Sequence, residues 1–427
     1  MIDYREALNI LEEIARKHPY SEERIGLNES LGRILSESVL SHEEVPSFTN
    51  SAMDGFAVFS ADTVRATSTH PVRIAVKGMV AAGDLKAFAQ ARANGPGQSV
   101  EIMTGAPLPE GGYDAVVRIE DVRVERSPSG DAIGIDLVKP LQAGENIRLK
   151  GTDFGIGHPV LRAGMRIAPE HILACASLGI SQLKVKSMPR VAVISTGSEL
   201  VDPSEPTLAP GMIRNSTGPF LVAALKEMGA EARYWGVIHD DPGLYQKTLE
   251  RALQAGADLI ISTGAVSMGK FDFVPEVLGR MGAKTYFHKA AIRPGKPVLF
   301  AEMSALHKGC VFFGVPGNPV STAVGLRFFV EPFVRAALGL EREEPIRARL
   351  VRDSSKPNGL RCFFKGRSRL GKEGVEVETL KGQASYIVSA LLDANCWVVF
   401  PEAGDRISAQ DAVDIYPLHH SFDRGVL

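Results

Sequence analysis

Two sets of charged side chains crowd the middle of this sequence. Glu199 follows the run VAVISTGS, Asp240 and Asp241 close ARYWGVIHDD, and Asp272 lies in STGAVSMGKFDF. The segment HKAAIRPGKP adds Lys289, Arg293 and Lys296 within eight residues, around a Pro-Gly turn. A turn of that kind can aim several cations at one oxyanion, with Arg293 offering a planar fork and the lysines compact charges. Carboxylates beside an anion site repel the anion unless a cation lies between them. Mg²⁺ bridging carboxylates and substrate phosphates is the common solution, so a divalent ion is implied. Each residue also has an ordinary reading: Glu199 or Asp272 can cap a helix, and the basic run can be a solvated loop. Taken singly, Asp240 reads best as the N-cap of the helix that Pro242 begins.

The elements that would bring these groups together alternate at βαβ spacing from about residue 186 to 340. ISTG occurs twice, at 194–197 and 261–264, each time ending an apolar, β-branched run. Between and after them come the helix patterns NSTGPFLVAALKEMGA and DPGLYQKTLERALQAGA, the strands ARYWGVI, KPVLF and CVFFG, and an amphipathic stretch from Pro319 to about Leu338. Strands apolar throughout suit a parallel sheet covered on both faces, in a doubly wound α/β domain. Ligands of such sheets bind outside the carboxyl ends of the strands. The two ISTG turns and GVPGNP then converge on one edge, as a cradle of hydroxyls and backbone N–H groups for phosphate or another oxyanion. Thr196, Gly197, Ser267, Pro316, Gly317 and Asn318 are its candidate binding positions. Ser, Thr and Gly also simply make good turns, and it is the convergence of three such loops that favours a site.

The rest of the chain reads differently. Residues 4–18 pattern as a helix with Ala7, Ile10, Leu11 and Ile14 on one face. Residues 46–156 are short extended pieces broken by Gly and Pro, an inserted β-rich lid domain. Around it, 1–45 and 157–185 form a discontinuous linking domain of helical and extended segments, whose helix at PEHILACAS packs back on the first one. After the charged linker EREEP, residues 341–427 alternate as a small β-barrel-like domain, with Arg361, Lys365, Arg367 and Arg369 along one strand. A chain of 427 residues, 44% hydrophobic and 23% charged, has the length for several such domains. With 48 basic and 50 acidic side chains, it has no global field to attract nucleic acid or an anionic membrane. No apolar run reaches the ~18 residues a bilayer requires, and MIDYREALNI has no signal-peptide pattern, so a cytoplasmic location is expected. Cys175, Cys310, Cys362 and Cys396 are far apart and read as small buried residues.

In chain order SAMDGFAV (51–58), IMTGAPLPEGGYDAVV (102–117), ENIRLKGTDF (145–154), STGSEL (195–200), GMIRNST (211–217), TGAVSMGKFDF (263–273), AIRPGKPV (291–298), GVPGNPVS (314–321) and KGQASYIVSALLDAN (381–395) resemble the motifs of the molybdopterin molybdenumtransferases, the MoeA proteins, to which a domain of gephyrin is related. The resemblance covers nearly the whole chain. It implies insertion of molybdenum from molybdate into adenylylated molybdopterin, with release of AMP and a requirement for Mg²⁺. It further implies a homodimer whose site is shared between subunits, and as a partner the adenylyltransferase that supplies the substrate. By motif, Asp54, Thr104, Asp153, Glu199, Asp240 and Asp272 carry over as catalytic positions, with Glu199 and Asp272 as metal ligands. Lys289, Arg293, Lys296, Ser321, Arg361 and Ser385 carry over as oxyanion contacts. Three positions depart from the pattern: Arg293 where lysine is more usual, Ala265 for a second glycine, and Ser198 for an aspartate. They leave room for a tungstate-preferring paralogue, and a non-catalytic molybdopterin carrier or scaffold is the competing reading. A nucleotide-binding phosphotransferase ranks behind both, since no G-x-x-x-x-G-K-[ST] loop is present.

Overall fold

The computed structural model describes residues 1–93, 95–265, 273–303 and 309–418. Asp3 opens the first helix, α1 (Tyr4–Lys17), by accepting a hydrogen bond from the Arg5 N–H, while Glu6 in the first turn and Arg16 and Lys17 in the last complement the helix dipole. Its stripe of Ala7, Leu11 and Ile14 is buried in the same core as Phe329, Val330 and Val334, and the Tyr4 ring meets Phe329 edge-on at 5.6 Å. The second helix, α2 (Pro169–Ser177), packs instead against the turn Leu27–Glu29 and the strand Pro159–Leu161, over Leu35, Leu161, Cys175 and Val185. The expected packing of α2 on α1 is therefore corrected. The apolar stripe of α1 is drawn onto the larger apolar surface of the central domain, leaving α2 to a separate small core.

The insertion carries a six-stranded sheet of Gly55–Val58, Val72–Val80, Gln98–Ile102, Ala115–Arg118, Val122–Arg126 and Ala132–Leu137. Alternate residues of one strand enter opposite cores, Phe56 and Val58 on one face and Ala57 on the other. Its Gly55 is pressed against the Val117 carbonyl, where a side chain would collide.

The central sheet holds β1 (Arg190–Thr196), β2 (Glu231–Ile238), β3 (Leu259–Thr263), β4 (Lys284–Phe287), β5 (Leu299–Glu302) and β6 (Val311–Val315), in the order β2-β1-β3-β6-β5-β4. The helices α3 (Thr217–Glu227), α4 (Pro242–Gln254), α5 (Val274–Arg280), α6 (Pro319–Gly325) and α7 (Glu331–Ala337) accompany it. Two apolar cores cover its two faces, one led by Val193, Ile261 and Phe313, the other by Ile194, Ile260 and Phe312. The sheet is not wholly parallel: β5 runs antiparallel to both β6 and β4. Only eight residues separate Glu302 from Val311, too few for a parallel crossover, which needs a dozen or more. The stretch after Pro319 is likewise not one regular helix, because a π-helical turn, Leu326–Val330, separates α6 from α7 with all five residues buried. Beyond it, strand Arg361–Gly371 pairs with both Gly374–Thr379 and Cys396–Phe400. That double pairing closes a five-stranded barrel with Ile346–Leu350 and Ala412–Pro417.

Candidate functional site

β1, β3 and β6 lie side by side and parallel, so the loops that follow them leave the sheet on one edge. They hold their shape through one another. The Thr196 hydroxyl donates to the Thr263 carbonyl at 2.9 Å, and the Gly264 N–H donates to the Val315 carbonyl at 3.1 Å. Gly264 (φ +82°) stands so close to β1 that a Cβ there would lie 2.5 Å from the Thr196 carbonyl oxygen, so this close approach demands glycine. Ala265 follows at φ +49°, a left-handed conformation for a residue with a Cβ. Below them Asn215, 2% exposed, donates to Ser195 and to the Tyr234 hydroxyl and accepts from the Gly218 N–H, which fixes the start of α3. The result is a crevice of about 620 Å³, lined by Thr196, Gly197, Glu199, Asp240, Gly317 and Asn318 among the expected positions, and by Arg214, Thr217, Ala265 and Tyr386 among others.

The two carboxylates of this crevice differ from their simplest readings. Asp240 is not the helix cap. Its neighbour Asp241 caps α4 by accepting from the Leu244 N–H at 2.9 Å, while Asp240 sits at φ +47° and turns back to accept from Ser198, its N–H at 3.1 Å and its hydroxyl at 2.5 Å. A serine at 198 thus holds Asp240 by donation, where an aspartate would repel it. The Glu199 carboxylate folds over Gly197, whose Cβ would fall 2.7 Å from it, and the Gly197 N–H donates to the Ile238 carbonyl at 3.2 Å. Among the described residues neither Glu199 nor Asp240 has an ion-pair partner, and no three His, Cys, Asp or Glu side chains cluster to hold a metal. One or two carboxylates beside a phosphate cradle nevertheless fit Mg²⁺, which keeps waters and takes further oxygens from substrate phosphates. Ser267 and Asp272 lie outside the described residues.

The basic turn flanks the crevice and does not line it. Ile292–Arg293 pairs in parallel with Arg361 and Cys362, Gly295 abuts the Ser321 main chain, and Val320 N–H donates to the Ser385 carbonyl at 3.0 Å. The backbones carrying Arg293, Lys296, Ser321, Arg361 and Ser385 therefore meet just beside Pro319 and Tyr386 of the crevice wall, with Arg293 and Lys296 exposed. Pro316, buried behind this wall, accepts from the Thr322 hydroxyl through its carbonyl. Lys289 is half-buried, and its carbonyl accepts from the Ile2 N–H at 2.7 Å. The Arg361 side chain turns away: it pairs with Glu402 at 3.3 Å and lies over the Tyr4 ring at 4.9 Å, in another cavity.

Asp54 and Thr104 meet each other on the inserted sheet. The Asp54 carboxylate accepts from the Thr104 N–H at 2.6 Å and from its hydroxyl at 2.8 Å, which lowers the Asp54 pKa, the backbone bond first. Asp153 is exposed near Val45, and within one chain none of the three lines the crevice. The four cysteines are free and buried, and burial pushes the Cys310 thiol up to about 12 and Cys396 to about 11, so neither supplies a thiolate nucleophile.

Arg214 and Tyr386 were not singled out from sequence. Both stand in quoted motifs, GMIRNST and KGQASYIVSALLDAN, and that is the only signal that pointed to them.

Comparison with known proteins agrees with this architecture. Residues 2–179 match the MoeA N-terminal region (domain I and II), 192–336 the probable molybdopterin binding domain and 347–418 the MoeA C-terminal region (domain IV). A Synechococcus elongatus protein named molybdopterin molybdenumtransferase is 38% identical over 418 residues, covering 98% of this chain and all of that one. One of the same name from Bacillus subtilis is 35% identical, covering 89% and 86%. Two crystal structures of the molybdopterin biosynthesis MoeA protein of Pyrococcus horikoshii superpose with TM-scores of 0.79 and 0.78 at 31% and 28% identity, over 98% and 97% of this chain and 99% of each of theirs. With three matched regions in order and homology along its whole length, the chain belongs to the molybdopterin molybdenumtransferase (MoeA) family.

Proposed function

We propose that this chain transfers molybdenum from molybdate to adenylylated molybdopterin, releasing AMP, in a Mg²⁺-dependent reaction. The observation that carries the reading is the crevice itself: the loops after three parallel strands enclose it, and Glu199 and Asp240 line it with no ion-pair partner among the described residues. Crevices at the carboxyl edge of such sheets hold phosphate groups, and the two carboxylates call for a positive partner between them and a pyrophosphate. Glu199 and Asp240 would hold Mg²⁺, with Asp272 completing the set. The ion would supply charge neutralisation at the phosphates. Water adds to the adenylate phosphorus and the bond from that phosphorus to the bridging oxygen breaks; AMP leaves carrying the water oxygen, and the bridging oxygen stays on molybdopterin as part of its phosphate, the water's protons passing to the two phosphates or to solvent. Glu199 would orient that water, and the exposed Arg293 and Lys296, one wall away, would attract the oxyanion.

Asp54, Thr104 and Asp153 lie outside the crevice of their own chain, which suits a homodimer in which a second copy brings them to it. An adenylyltransferase would hand over the substrate, in the cytoplasm; no helix among the described residues is long and apolar enough to cross a membrane. The test is AMP release from adenylylated molybdopterin under anaerobic conditions, with and without Mg²⁺, molybdate and tungstate. Release that requires Mg²⁺ and an oxyanion supports the transferase and identifies its metal. Tight pterin binding without AMP under any condition would make the chain a carrier.

A further inference from the structure

The crevice receives one residue from outside the central domain. Tyr386, from the loop between barrel strands, is the only aromatic side chain among the described residues that line it, and it is 71% exposed. A tyrosine left so open to solvent is usually mobile, yet the main chain on both sides of this one is tied down. Lys365, fully buried in the barrel, sends its ammonium to the carbonyls of Gly382 at 2.6 Å, Ile387 at 3.0 Å and Ala384 at 3.4 Å. A buried ammonium must find acceptors, so the loop is obliged to curl around it. Gln383 adds a two-way clasp, accepting from the Lys365 N–H and donating to the Lys365 and Leu380 carbonyls. Ser385 is bound to the start of α6 through the Val320 N–H. With Gly382 at φ +80° turning the chain, the main chain from 382 to 387 is fixed on both flanks and the Tyr386 ring is presented to the crevice.

We infer that Tyr386 is a specificity-determining residue, the platform on which a flat two-ring nitrogen heterocycle of the substrate stacks, and that Lys365 is the positioning residue that holds it there. The inference rests on the proposed function, because adenylylated molybdopterin offers two such rings, a pterin and an adenine. Every heterocycle of this class has a π-face, and stacking needs no hydrogen-bond match. The other lining side chains are small, aliphatic or charged and offer the ring no comparable surface.

The experiment titrates the full-length chain anaerobically with AMP and, separately, with molybdopterin, and measures steady-state AMP release in parallel. Tyr386→Leu should weaken one probe by roughly tenfold or more and raise KM with little change in kcat, while Tyr386→Phe, which keeps the ring, binds as the wild type does. Loss confined to AMP places the adenine on the ring; loss confined to molybdopterin places the pterin there. Lys365→Met should reproduce the weakening, and adding Tyr386→Leu to it should cost nothing further. If Lys365→Met fails to fold, the two Tyr386 variants still decide the platform. An active Tyr386→Leu chain that binds both probes normally overturns the stacking while leaving the transferase intact. A stable Lys365→Met chain with normal binding removes Lys365 from the role. A wild-type chain that binds neither probe and releases no AMP overturns the functional reading and this inference together.

Discussion

The crevice at the carboxyl edge of the sheet, about 620 Å³, and the cavity between α1, α7 and the barrel, about 470 Å³, are both lined by charged side chains, but those charges are engaged in opposite ways. In the second cavity most of the arginines are bound to the protein itself. Arg327 pairs with Glu331 at 3.1 Å and Glu343 at 2.7 Å, Arg342 with Glu12 at 2.6 Å, and Arg361 with Glu402, while Arg335 donates to the Glu341 carbonyl at 3.0 Å. In the crevice Glu199 and Asp240 face the opening with no ion-pair partner among the described residues, and Arg214 is held only by the carbonyls of Glu205 and Pro206. Volume and polarity therefore do not separate a seam from a site. What separates them is whether the charge is already neutralised, because a paired charge fastens elements together whereas an unpaired one is kept for a ligand.

The sharpest way to break this contrast is to remove a paired charge. Arg327 is 6% exposed and Glu331 1%, so Arg327→Met strips a buried carboxylate of its nearest cation and should cost about 3–5 kcal/mol in urea unfolding. Replacing Arg327 and Glu331 together by Met and Leu should recover much of that loss, since the desolvation cost then disappears with the pair. AMP release per folded molecule should stay at the wild-type level in both. A large fall in turnover at unchanged stability would mean that the seam is part of the site. The next effect in size is the reverse case. Glu199→Gln should lower kcat for AMP release by about 100-fold while changing stability by less than ~0.5 kcal/mol, because an exposed carboxylate with no ion-pair partner among the described residues supports chemistry and not the fold. Unfolding that shifts by several kcal/mol, with turnover intact, would reverse the assignment.

The same contrast explains how far the sequence could be read. The strands and their cradle loops were legible because βαβ alternation is a local pattern, and Thr196, Gly197, Glu199, Asp240, Gly317 and Asn318 followed from it directly. The choice between adjacent carboxylates was not. Asp241 caps α4 because Asp240 adopts φ +47° and reaches back to Ser198, an arrangement set by a loop 42 residues away. Alternation in the barrel strand could not tell which basic residues turn inward. Arg361 and Lys365 are buried, since a ring, a carboxylate and a set of carbonyls await them, while Arg367 and Arg369 stay exposed. Arg214 and Tyr386 reach the crevice on loops whose paths depend on contacts far along the chain. The antiparallel β5, by contrast, could have been foreseen from the short spacing between Glu302 and Val311.

Smaller substitutions test the loops themselves. Ala265 at φ +49° pays for its Cβ, so Ala265→Gly should stabilise the chain by about 0.5 kcal/mol in urea unfolding and leave turnover unchanged. A destabilised variant would mean that the methyl group packs usefully against the core led by Ile194, Ile260 and Phe312, which it borders.

Asp54 is the intermediate case, a carboxylate held by donors and not by a counter-charge. Its lowered pKa means that its contribution to stability is present above the ordinary carboxyl pKa and is lost as pH falls through the folded value. The Thr104 N–H is the larger cause and survives in Thr104→Val, whereas the hydroxyl does not. The Asp54 carboxyl titration, followed by NMR, should therefore move up only part of the way towards the ordinary value. A complete return would show that the side chain, and not the backbone, keeps Asp54 charged. Either way the Asp54 carboxylate stays exposed with no ion-pair partner among the described residues, as Glu199 does, although the two lie in different domains.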